Sequence, residues 1–125
     1  MNRGLLATFV GVALATAGCG YAIDLRADPK VEGPDAICPS LGFTGQLAVD
    51  ASAGLVLVGD MGVVKKIEWP HGYRARWEWN RAVLVDQSGI VVAREGDVVR
   101  VTGSPVVGAE DFLGVCGRIE LLEST

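Results

Sequence analysis

The segment IEWPHGYRARWEWNR, from Ile67 to Arg81, holds all three tryptophans of the chain, its only histidine and one of its two tyrosines. Rings interleaved with guanidinium groups are suited to stacking and cation–π contact, and hence to a ligand that is anionic or carries rings. Lys65, Lys66, Arg74, Arg76 and Arg81 stand against Glu68 and Glu78, so this window is positive in a chain of formal net charge -4. Trp69, Tyr73, Arg74, Arg76, Trp77 and Trp79 are therefore the candidate ligand-binding residues. Pro70 and Gly72 interrupt any strand and place His71 in a turn. Trp77 and Trp79 lie two apart, which on a strand puts both on one face and Glu78 on the other. The alternative is structural: the same rings would fill the end of a small barrel while the arginines form a solvated face.

Catalytic chemistry finds less support. His71 could be drawn toward Asp60, Asp86 or Asp97 and toward Ser88 or Ser104, but no spacing sets a nucleophile beside a base. The aspartates read as turn residues whose carboxylates accept from nearby backbone amides. Gly54, Gly59 and Gly62 read as hairpin glycines, since GLVLVGDMG is neither a phosphate loop nor followed by a helix signal. No histidine or cysteine cluster suits zinc and no loop suits calcium. The expectation is a protein that is not an enzyme and needs no metal or cofactor.

The N-terminus says where such a protein would work. MNR is a positive n-region, LLATFVGVALATA an apolar h-region, and small residues follow, the layout of a signal peptide over residues 1–18. Ala15-Thr16-Ala17 fits ordinary cleavage before Gly18. Thr16-Ala17-Gly18-Cys19 also resembles a bacterial lipobox, with Thr16 where leucine is usual, in which the cysteine receives a lipid and becomes the mature N-terminus. Cysteine parity separates the two. Three cysteines leave a spare thiol in an oxidising compartment unless lipid consumes Cys19, and Cys38 and Cys116 then remain as a disulfide pair. Residues 19–37, rich in proline and acid, read as a flexible tether between membrane and domain.

Positioning the candidate residues falls to residues 38–125, where short β-rich runs alternate with glycine turns. LGFTGQLAVD, GLVLVGD, VVKKIEWP, the runs 81–86 and 89–93, then 98–103 and 114–122, read as strands. Only Ala109 to Leu113 hints at a helical turn. Seventeen glycines and strands about ten residues apart predict an all-β fold, a small five-stranded OB-like barrel that removes exposed edges by closing on itself. A Cys38 to Cys116 bridge would clasp its first strand to its last.

The segments WPHGY, Leu84-Val85-Asp86, Val91-Val92-Ala93, Glu95-Gly96-Asp97-Val98-Val99 and Val101-Thr102-Gly103 resemble small actinobacterial-type exported lipoproteins with an OB-like barrel and no assigned function. The resemblance covers the region from Cys38 to Leu121 and implies a fold and a location, not an active site. OB-like barrels present one face to oligonucleotides or oligosaccharides. An exported chain whose charge falls to about -5 once Arg3 is removed argues against nucleic acid. The expected partners are the membrane, through lipid on Cys19, and an envelope glycan or envelope protein.

Overall fold

The computed structural model describes residues 21–30, 38 and 41–125; the expected signal peptide and the lipidation of Cys19 lie outside the described residues. The described residues are all-β, with nine strands: β1 (Ala22–Ile23), β2 (Gly42–Asp50), β3 (Gly54–Val58), β4 (Val64–Glu68), β5 (Arg74–Glu78), β6 (Arg81–Val85), β7 (Val91–Arg94), β8 (Val98–Val106) and β9 (Ala109–Glu123). A short 3-10 turn, Asp60–Gly62, joins β3 to β4.

Five strands close into a barrel in the order β2-β3-β4-β9-β8, with β8 returning to β2. The first three run as an antiparallel meander, and β9 lies parallel to β4. This Greek-key order is the expected OB-like ring. Between the third and fourth barrel strands the chain inserts β5, β6 and β7, which with β1 form a second, four-stranded sheet in the order β1-β5-β6-β7.

One core serves both layers. Leu47, Leu55, Leu57, Ile67, Val99, Val101, Leu113 and Val115 point into it from the barrel, and Ala75, Ala82, Leu84 and Ala93 from the small sheet. Three alanines among those four keep the sheet surface shallow, and Trp69 fills the space that remains. Trp69 is fully buried, and its indole Nε1–H donates to the Leu55 carbonyl at 3.2 Å. A buried indole needs such a partner, because an unsatisfied N–H costs about 1–3 kcal/mol.

Two expectations are corrected. Ala109 to Leu113 is not a helical turn but the opening of β9. Gly108, at φ 85, reverses the chain after β8, and Phe112 and Leu113 then pair with Lys66 and Ile67 of β4. Residues 21–30, expected within a flexible tether, are docked. Ala22 and Ile23 pair with Arg76 and Ala75, and Trp69 N–H and O bond Arg26 O and Asp28 N–H, both at 2.9 Å. Arg26 pairs with Glu68 at 2.8 Å and lies over the Phe112 ring, 4.9 Å from its centroid. Gly54, at φ 81, makes room for this arm, since a Cβ there would overlap the Asp24 carbonyl.

Cys38 and Cys116 bring their sulfurs to bonding distance, with Cα atoms 5.7 Å apart across 78 residues of sequence. A loop of that length is worth about 4 kcal/mol in the chain-entropy account of a disulfide.

Candidate functional site

The site is built on β5 and its hairpin partner β6. In Arg74-Ala75-Arg76-Trp77-Glu78 the period of two sends Ala75 and Trp77 toward the core and Arg74, Arg76 and Glu78 to the opposite face. On β6, Ala82 and Leu84 join the core and Val83 and Val85 share the arginine face. The register sets Val83 between Arg76 and Arg94, and Val85 between Arg74 and Val91. Both valines are buried although they stand outside the core cluster. An arginine placed so can lay its aliphatic stem over a neighbouring valine while its guanidinium group stays in solvent.

Beside these arginines the docked arm leaves a groove of about 410 Å³. Its walls are the arm from Ala22 to Leu25 and β5 from Tyr73 to Arg76, with Val85 as part of its floor. Arg76 makes an exposed ion pair with Glu78 at 3.4 Å, of the kind worth about 0–1 kcal/mol and easily exchanged for another anion. Arg74 has no ion-pair partner among the described residues. The groove thus joins an apolar floor, a phenol, the Asp24 carboxylate and two guanidinium groups, Arg74 without an ion-pair partner and Arg76 in an exchangeable one, a set able to hold a carboxylate or phosphate against an apolar or ring surface.

The six candidate residues do not form one patch. Arg74 and Arg76 point outward at the groove, with Tyr73 lining it while also packing on the core. Trp77 is half-buried against the core. Trp69 is removed from any accessible face: it is 0% exposed, and it fills the barrel as the structural alternative required. Trp79 is 88% exposed. It does not share a strand face with Trp77, because β5 ends at Glu78 and Trp79 occupies the first position of a two-residue hairpin turn that closes on the Glu78–Arg81 pair. Its φ of 60 is unusual for a bulky residue. Positive φ at the first central residue and not at the second is the pattern that favours glycine there.

Of the remaining polar candidates, His71, Asp86 and Asp97 are explained by local bonding. His71 Nδ1 lies 3.0 Å from the Asp28 carbonyl, so the imidazole donates there and fastens the arm. Asp86 Oδ1 accepts from the N–H groups of Ser88 and Ile90. Asp97, only 2% exposed, accepts from Arg94 N–H at 2.8 Å, from Arg81 at 3.4 Å and from the backbone and hydroxyl of Thr125; Arg81 also donates to the Thr125 hydroxyl. Asp50, on the β2–β3 turn, accepts from Ala53 N–H and from the hydroxyl and N–H of Ser52, and these bonds hold its carboxyl below the usual carboxylate range. Among the described residues no group of three or more His, Cys, Asp or Glu is arranged to hold a metal ion, and no helix is long and apolar enough to cross a membrane.

Sequence reasoning missed the arm as a wall of the groove. The only local signal was the alternation Ala22-Ile23-Asp24-Leu25, too short to stand out from acidic, proline-rich surroundings. Compared with known proteins, the chain matches no family model, no curated protein and no solved structure.

Proposed function

We propose that this chain is an exported lipoprotein of the cell envelope, anchored through lipid on Cys19, whose small sheet binds an anionic envelope glycan in the groove between arm and β5. The observation that carries the binding reading is Arg74, uncommitted to any carboxylate and set beside Tyr73 and Arg76 on an apolar floor. The export and anchor readings rest on the signal layout, the lipobox-like Thr16-Ala17-Gly18-Cys19 and the pairing of the other two cysteines. The resemblance to small actinobacterial-type lipoproteins fits the same location. The reading involves no bond-making chemistry, so the protein acts by holding its partner.

The test is binding of the mature protein to an immobilised uronate oligosaccharide and to a neutral glucan of equal length, at stepped salt. Binding should be selective for the uronate, weaken with salt, and fall about tenfold in Arg74→Ala, the effect of losing one charge-assisted hydrogen bond of about 1.4 kcal/mol. Equal binding of both glycans, or an unchanged Arg74→Ala, would reject it. A second reading, a structural envelope protein whose aromatic stretch is core, is favoured at one residue by the burial of Trp69. It expects the arginine variants to be silent.

A further inference from the structure

Two exposed aromatic residues stand at one end of the small sheet, and neither is explained by packing or by the groove. Trp79 projects from the β5–β6 turn at 88% exposure and Tyr21 is 62% exposed. They are neighbours through the backbone: Tyr21 O accepts from Trp77 N–H at 2.7 Å, and Ala22 faces Arg76 in the register. Because β1 is antiparallel to β5, the chain traced from Ala22 back to Tyr21 runs toward the hairpin tip. Tyr21, where the described arm begins, therefore stands at the end of the small sheet that presents Trp79.

Amphipathic rings of this kind concentrate at the membrane–water interface, where the ring is shielded and the N–H or O–H stays wet. Charge agrees through Arg76, which stands just behind the tip on β5 in an exposed pair with Glu78 that a headgroup phosphate can replace. Trp79 also holds a backbone conformation that glycine would adopt freely, and among the described residues its side chain is neither in the core cluster nor packed against it.

We infer that the β5–β6 tip, with Trp79 and Tyr21, seats in the interfacial zone of the phospholipid bilayer that carries the Cys19 anchor. This rests on the lipoprotein reading and adds to it an orientation. A lipid on Cys19 would fix the protein to a membrane but not its attitude; a second contact at the tip turns the anchored domain to one stance. The groove would then open just above the headgroups, Arg74 being five residues from Trp79 along the hairpin, at roughly 3.4 Å per residue.

The experiment uses the mature protein from its native host, with intact mass reporting lipid on Cys19. It is mixed with vesicles of phosphatidylethanolamine and phosphatidylglycerol brominated near the top of the acyl chains. Indole emission should be quenched in the wild type. Trp79→Gly, which suits the turn and should leave near-ultraviolet dichroism of the fold intact, should lose most of that quenching. Lipid on Cys19 with unquenched emission, or with quenching that Trp79→Gly leaves unchanged, overturns the seating and spares the anchor. Lipid-free protein that still shows Trp79-dependent quenching overturns the anchor and supports the seating. Lipid-free protein with no quenching overturns both. Should Trp79→Gly disturb the fold, Trp79→Lys gives the same reading.

Discussion

The barrel and the small sheet are built from the same residue types and obey the same alternation, yet they treat their side chains in opposite ways. The barrel closes on itself, so one face of every strand is sealed and side chains there contribute by packing. The small sheet is open, with one face on the shared core and the other toward solvent. The alternation that buries Ala75, Ala82, Leu84 and Ala93 carries Arg74, Arg76 and Arg94 outward. Trp69 and Trp79 mark the two extremes within ten residues: one seals the core and the other covers nothing. Residue type alone therefore does not reveal the role of a tryptophan in this chain; its place relative to the closed ring does.

The sharpest way to break that contrast is to truncate both tryptophans. Trp69→Ala should cost about 3–5 kcal/mol in urea unfolding, whereas Trp79→Ala should stay within about 0.5 kcal/mol of the wild type. Equal costs would erase the distinction. Cys116→Ser should destabilise by about 4 kcal/mol, since the bridge limits the unfolded chain, and unfolding with and without reductant checks it. Asp97→Ala, which strands Arg94 N–H and loosens Arg81 where the two layers meet, should cost about 2 kcal/mol; a neutral result would mean the layers are joined by the core alone. Trp79→Gly should stabilise the hairpin by up to about 1 kcal/mol by relieving the left-handed backbone, visible as a raised Tm.

The smallest effect concerns acid. The Asp50 carboxyl lies below its ordinary value of 3.8 because Ala53 N–H, then the hydroxyl and N–H of Ser52, favour the charged form. A depressed folded-state pKa contributes stability that is present above the ordinary value and is lost as pH falls through the folded one. Unfolding measured from pH 5 downward should show a shallower acid loss in Asp50→Asn than in the wild type.

Much of the ring could be read beforehand, because strand alternation and glycine turns are local signals. LGFTGQLAVD and GLVLVGD carried their own boundaries, and β2 and β3 fall within them. What escaped was set at a distance or by competition. The arm looks like a linker in composition, and its partner, Arg76, is more than fifty residues downstream of Ala22. Ala109 to Leu113 contains helix-forming residues, but a ladder with β4 and β8 offers its backbone more. Of the candidate site, Arg74 and Arg76 were visible by residue type, but not their place on the face opposite Trp77. The separation of Trp77 from Trp79 was not, because a tryptophan at positive φ goes against ordinary turn chemistry and conceals the end of the strand.

The clasp between Cys38 and Cys116 has a mechanical consequence. Tension applied between the two ends of the domain would pass from the arm to Cys38, cross the bridge and leave through β9, so the 78 residues of separation it spans carry no load. The weak fastening of β1 to β5 could peel, and the strand beyond Cys116 could strip from β8, but the rest of the barrel would be bypassed. A pull on such a domain would lengthen the chain at its two ends without opening its body.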